Sequence, residues 1–183
     1  SYPALEPTLF SFNAPVGMCS ECNGLGSIMS MDPDKIVPDK SLSVRQGAVL
    51  PWKNVFATGA FESDDHSWGA DKLKALEKEF KLDWDKPFSK LSKKQKDIIL
   101  NGSGDKEITV RWKGEKSTGE WSFAWEGLVN ELMRRYQQTK SDAMKSWYGK
   151  YLSMASCQTC GGKRLRPESL AVQVGTKTID QVT

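Results

Sequence analysis

The four cysteines of this 183-residue chain form two C-x-x-C pairs near its opposite ends, and that arrangement limits how the chain can fold. The first pair sits in Cys19-Ser20-Glu21-Cys22-Asn23-Gly24-Leu25-Gly26, the second in Cys157-Gln158-Thr159-Cys160-Gly161-Gly162. Two-residue spacing lets both thiolates of a pair approach one ion from a tight turn. The glycines that follow free the backbone to adopt left-handed conformations and to aim N–H groups at sulfur. Four thiolates around one Zn²⁺ leave no position for water or substrate, so Cys19, Cys22, Cys157 and Cys160 are expected to hold a structural zinc. Shared ligation would pin the ends of the intervening stretch together. Residues 28–156 would then be an inserted domain with adjacent termini, between a first half-module at 1–27 and a second half-module with a following hairpin at 157–183. The 134 residues between Cys22 and Cys157 exceed the usual spacing of a zinc ribbon. Two other readings stay open: independent redox dithiols, which lack a βαβ context, and disulfides, which would be sparse here and come without a secretion signal.

Apolar periodicity predicts an α+β fold, with helices and a small antiparallel sheet. Residues 8–12 alternate like a brief strand, and prolines at 33, 38 and 51 mark 28–55 as loop and extended chain. Residues 57–69, with Asp64, Asp65 and His66, read as a polar surface loop, and His66 as a surface residue rather than a ligand or base. Leu73, Leu76 and Phe80 then share one helical face. Ser92 suits the N-cap of a helix ending at Leu100, before Asn101-Gly102-Ser103-Gly104. Ile108, Val110 and Trp112 alternate, as do Trp121, Phe123 and Trp125, which predicts a hairpin. A strongly amphipathic helix is expected over 128–138, then a helix capped by Ser141-Asp142 that carries Met144, Trp147, Tyr148 and Tyr151. Residues 169–174 and 176–179 read as a hairpin turned at Gly175. The seven tryptophans are expected in packing roles, with base stacking as the alternative for Trp121 and Trp125.

The formal net charge of +3 implies no partner by itself, but the charge is unevenly placed. Arg134, Arg135, Lys140, Lys145, Lys150, Lys163, Arg164 and Arg166 face a single acid, Asp142, within 134–166, whereas 27–133 carry 17 basic and 18 acidic residues. Those eight side chains are the candidates for contact with a polyanion; the alternative is that Arg134 and Arg135 pair with acids such as Glu131. No apolar run approaches the roughly 20 residues of a membrane helix, so no membrane partner is expected. No G-x-x-x-x-G-K phosphate loop or Ser/His/Asp set is present, so no catalytic residue is assigned. The opening Ser1-Tyr2-Pro3-Ala4 has no signal-peptide character, and both ends read as cuts within a longer protein.

The run Leu9-Phe10-Ser11-Phe12-Asn13-Ala14-Pro15-Val16-Gly17-Met18-Cys19, continued by Cys22, Gly24, Leu25 and Gly26, resembles the first-half zinc module of the UvrA family, the damage-recognition component of excinuclease ABC. The likeness extends through Met31-Asp32-Pro33-Asp34, Glu126-Gly127-Leu128-Val129, Arg134-Arg135-Tyr136 and the block from Cys157 to Arg164-Leu165-Arg166-Pro167-Glu168. The resemblance implies a mobile insertion domain near the DNA path of the damage-recognition ATPase of bacterial nucleotide excision repair. It implies double-stranded damaged DNA and the second component of the excinuclease as partners of the whole protein. A cytoplasmic location is implied too, with ATP and Mg²⁺ bound only in the full-length protein. Family members carry a further C-x-x-C pair just before the segment that survives here as Leu5-Glu6-Pro7; such a pair would compete for Cys19 and Cys22. The Asp64-Asp65-His66 loop and the Lys93, Lys94 and Lys96 cluster fall outside the resemblance. A drug-resistance paralogue would share the motifs, and Cys19-x-x-Cys22-x-Gly24-x-Gly26 also matches the repeat of chaperone-type protein-binding zinc modules.

Overall fold

The computed structural model describes residues 6–63, 67–113, 118–174 and 176–181. In chain order the elements are β1 (Ser27–Met31), α1 (Pro33–Ile36), α2 (Lys53–Ala57), α3 (Trp68–Phe80), α4 (Lys93–Asn101), β2 (Glu107–Lys113), β3 (Thr118–Ala124), α5 (Leu128–Gln138), α6 (Asp142–Gly149), β4 (Leu152–Ser156), α7 (Pro167–Leu170), β5 (Gln173–Val174) and β6 (Lys177–Thr178). Short 3₁₀ turns occur at Pro7–Phe10, Leu50–Trp52, Phe88–Lys90 and Ile179–Gln181. The strands pair as β1–β4, β2–β3 and β5–β6, so the fold is α+β with small sheets. Contacts divide the chain into a Met31–Leu152 unit and a cysteine unit made of Ser1–Ser30 with Ser153–Thr183.

The Met31–Leu152 unit is built on its helices and one hairpin. Leu73 and Leu76 of α3 are fully buried with Ile99 of α4, Leu128 of α5, and Ile108 and Val110 of β2. β2 and β3 are antiparallel, with Ile108 opposite Phe123 and Val110 opposite Trp121. The other face of the hairpin is polar: the Thr109 and Ser122 hydroxyls lie 2.8 Å apart, and Arg111 pairs with Glu120 at 3.0 Å. Successive strand residues point to opposite faces, so this alternation fixes the register. Trp52 packs edge-on against Trp84, and Trp125 donates its indole N–H to the Ile98 carbonyl at 2.8 Å. Ser92 caps α4 in a reciprocal box with Gln95, and Ser141 accepts the Met144 amide to cap α6.

Several segments differ from the sequence expectation. Residues 8–12 form no strand: Pro7 sits at the start of a 3₁₀ turn, where its fixed φ and missing N–H are tolerated, and Leu9 is buried. Residues 28–55 contain β1, α1 and the start of α2, because Pro33 and Pro51 lie in first-turn positions and initiate helical turns rather than break them. Asp32 caps α1 by accepting the Asp34 amide. In the stretch expected to be polar loop, Phe61 is buried against Phe56, with ring centroids 4.9 Å apart. Asp64, Asp65 and His66 lie outside the described residues. Ser169 belongs to α7, begun by Pro167, and the hairpin that follows shrinks to β5 and β6. Tyr151 lies beyond the end of α6.

Candidate metal centre and nucleic-acid interface

In the cysteine unit the four thiols converge. Their sulfurs all lie within 4.8 Å of one another, with Cys19–Cys157 at 3.9 Å and Cys22–Cys160 at 3.8 Å, and all four residues are buried. A disulfide would require about 2.0 Å, so the cysteines are free. Four sulfurs at about 2.3 Å from one ion would be about 3.8 Å apart. The donor set therefore fits a tetrahedral metal ion. The two shortest contacts each join one pair to the other, so the four thiols form one cluster rather than two separate dithiols.

The local backbone explains the convergence. After Cys22, Asn23 and Gly24 are left-handed at φ 48 and 75; after Cys160, Gly161 and Gly162 repeat this at φ 59 and 85. Each C-x-x-C turn is thereby curled around its sulfurs, and the Gly26 amide donates to Cys22 Sγ at 3.2 Å. A Cβ on Gly24 would stand 2.0 Å from the Phe12 carbonyl oxygen, so no larger residue fits there without a backbone shift. The two turns are tied through the Cys19 amide to the Arg164 carbonyl at 2.8 Å and the Cys157 amide to the Gly26 carbonyl at 2.9 Å. The Cys160 amide, foremost among several hydrogen bonds, holds the Cys157 thiol down at about 7, whereas burial pushes Cys160 up to about 11. N–H groups aimed at sulfur stabilise thiolate, the form a metal requires.

The eight basic candidates are divided. Arg166 donates to the carbonyls of Met18 at 3.0 Å and Pro15 at 2.8 Å, and the Arg164 guanidinium lies 5.3 Å from the Phe12 ring centre; both serve the packing of the cysteine unit. Lys163 is exposed in the same unit. In the Met31–Leu152 unit, Arg134 pairs with Glu126 at 2.5 Å and Arg135 with Glu131 at 2.8 Å. Lys140, Lys145 and Lys150 are exposed and belong to no ion pair among the described residues. The uninterrupted positive field suggested by the sequence is thus reduced, because the acids that neutralise two arginines lie earlier in the chain. The i, i+4 spacing of Glu131 and Arg135 was the available signal. Both carboxylate oxygens of Glu131 also accept from the ammonium of the buried Lys72, at 3.0 and 2.9 Å. Burial pushes the Lys72 ammonium below its usual range, and Glu131 opposes that shift.

The tryptophans also separate. Trp125 is core, whereas Trp121 stays 58% exposed at the end of a ring cluster with Trp68 and Phe123.

Fold and site together define a four-thiol module whose two C-x-x-C halves bracket an α+β domain. The profile of a family described as the UvrA DNA-binding domain matches residues 32–150, and the chain belongs to that family. UvrABC system protein A of Clostridium perfringens (strain 13 / Type A) is 40% identical over 183 residues, which is all of this chain and 19% of that protein. The Treponema pallidum (strain Nichols) protein of the same name is 40% identical over 181 residues, 98% of this chain and 18% of that one. The crystal structure of UvrA2 from Deinococcus radiodurans matches with a TM-score of 0.69 at 25% identity, over 99% of this chain and 23% of that one. The chain therefore spans about a fifth of the length of these relatives.

Proposed function

We propose that this chain is the DNA-contacting accessory region of a UvrA protein, the damage-recognition ATPase of bacterial nucleotide excision repair. The observation that carries the reading is the family match over 32–150, described as DNA-binding, in a chain that also brings four cysteines to one point. In this reading residues 28–156 are an insertion domain, and 1–27 with 157–183 form its zinc module. Cys19, Cys22, Cys157 and Cys160 hold one structural Zn²⁺. Four thiolates complete a tetrahedron, so the ion supplies cross-linking and no open coordination position. ATP and Mg²⁺ belong to the full-length protein, which works in the cytoplasm and hands damaged DNA to the second component of the excinuclease. No helix among the described residues is long and apolar enough to cross a membrane.

Contact with DNA is made through phosphates, and it is independent of base sequence. The exposed Lys140, Lys145 and Lys150 carry it, with Lys163 in the cysteine unit. Arg134 and Arg135 contribute less than their formal charge, because Glu126 and Glu131 neutralise them. The test is a gel shift of the 183-residue chain on undamaged duplex DNA over a salt series, beside metal analysis of the same preparation. Weak binding that falls steeply with salt, and one zinc per chain, are the expected results. Absence of duplex binding at low salt overturns the DNA assignment, and absence of zinc overturns the module.

A further inference from the structure

Within the Met31–Leu152 unit, Trp121 is a large apolar ring left at the surface on a face whose other described members are covered. Val110, directly opposite it, is fully buried, and so is Ile108 opposite Phe123. Trp68, the first residue of α3, stacks on Phe123 at 5.9 Å between ring centroids and leans on Trp121 at 5.6 Å. Trp121 and Phe123 are 5.5 Å apart. The three rings brace one another, so the exposed ring is held ready rather than free to collapse.

This cluster forms one wall of a cleft of about 190 Å³. The rest of the lining is charged and hydrogen-bonded: Lys72 to Glu131, Arg135 to Glu131, and Arg134 to Glu126. Arg134 also donates to the Gln138 amide oxygen at 3.3 Å, which fixes its guanidinium plane. Three cations against two carboxylates leave the lining with an excess of one positive charge. A flat π surface beside a fixed guanidinium, with that excess, matches an aromatic ring carrying a negative charge on a short tether. A nucleotide has that chemistry.

We propose that the cleft between Trp121 and Arg134 receives a single unpaired nucleobase of DNA, stacked on the Trp121 indole with its flanking phosphate toward Arg134 and Arg135. This rests on the DNA-binding reading above and adds a preference to it. In an intact duplex both faces of each base are already stacked, so only a base that has left its helix can use the site.

The test uses the full 183-residue chain and two duplexes, one fully paired and one with a single bulged 2-aminopurine. The bulged duplex is expected to bind more tightly, with quenching of the 2-aminopurine emission as the base stacks on indole. Trp121→Ala is expected to weaken binding of the bulged duplex about tenfold and abolish the quenching, with affinity for the paired duplex nearly unchanged. Trp121→Phe, which keeps a ring, is expected to retain most of the preference and serves as the folding control. Equal affinity of the wild-type chain for both duplexes without quenching overturns this proposal and leaves phosphate-only DNA binding standing. Equal losses on both duplexes in Trp121→Ala do the same. Failure to bind either duplex removes the DNA-binding reading and this proposal with it. Self-association that covers Trp121, seen by sedimentation and unaffected by DNA, assigns the ring to a second copy of the chain and also overturns it.

Discussion

Arg164 occupies in the second cysteine turn the place that Gly26 occupies in the first, and both residues are left-handed, at φ 69 and 78. Each lies four residues beyond the last cysteine of its pair and directs its amide to that sulfur. The two also meet, because a Cβ on Gly26 would stand 3.0 Å from Arg164 Cγ and 2.8 Å from the Gly162 carbonyl oxygen. Gly26→Ala is therefore expected to cost more than about 1–2 kcal/mol, the left-handed penalty for a residue with a Cβ, with the clash added. Arg164→Gly relieves the same strain and is expected to stay within about 1 kcal/mol of the parent. Thermal unfolding of both variants tests the equivalence; similar losses would remove it.

Cys19→Ser and Cys157→Ser are each expected to lose the metal, since each removes one corner of the tetrahedron. The core around Leu73, Leu76 and Leu128 is made without the cysteines and is expected to keep its near-UV signal. Full zinc retention in either variant would exclude the shared site.

Acidification is expected to release the metal. Ligation holds thiols deprotonated, so their folded-state pKa is depressed, and the stability so gained is present above the unfolded thiol value of about 8.5. It is lost as pH falls, and the Cys157 thiol, held down at about 7, favours thiolate even without an ion. A chromogenic chelator should report zinc release and falling stability together as pH drops. Release that is independent of pH would argue against thiolate ligands.

Glu131 accepts Lys72 and Arg135 together inside the protein. Glu131→Leu alone leaves the Lys72 charge buried without its carboxylate and is expected to cost about 3–5 kcal/mol. Adding Lys72→Met removes that charge, and the double variant is expected to recover much of the loss. A double-mutant cycle from denaturant unfolding measures the coupling; strictly additive losses would show that the pair acts through packing alone.

Reversal of Lys140, Lys145 and Lys150 to Glu is expected to weaken duplex binding and flatten its salt dependence, whose log–log slope is about −0.9 per phosphate contacted. The same change at Lys93, Lys94 and Lys96, in the balanced part of the sequence, is expected to do less. Reversal of Arg134 and Arg135 should also lower stability, because Glu126 and Glu131 then face like charge. Gel shifts at several salt concentrations separate the sets, and equal slopes would exclude a local contact surface.

Features governed by short-range rules were legible in the sequence. The helices at Leu73–Leu76–Phe80 and Leu128–Leu132–Tyr136 follow from period, the α4 start follows from the Ser92 cap, and the hairpin follows from alternation. What stayed hidden depends on distant partners. The spacing of Glu131 to Arg135 was readable, but its bond to Lys72 and the pairing of Glu126 with Arg134 needed the fold, and Trp121 and Trp125 share a parity in sequence although β3 ends at Ala124 and sends Trp125 into the core. Prolines misled at 33 and 51, because the same residue breaks a helix interior and begins a helical turn. The cysteines were legible as a set because C-x-x-C spacing is local, and the left-handed turns that curl each pair were foreshadowed by their glycines.

The order in which the polypeptide emerges from the ribosome gives the long separation of the cysteine pairs a temporal meaning. Cys22 precedes Cys157 by more than a hundred residues, so at about 5–20 residues per second the first two thiols wait on the order of ten seconds for the second two. Met31–Leu152 is contiguous and can complete its core within that interval, whereas the cysteine unit is made from both ends and must close last. Until then Cys19 and Cys22 lack the second pair and are open to any metal carrier or oxidant they meet. The vulnerable step in making this protein is therefore the arrival of its second cysteine pair.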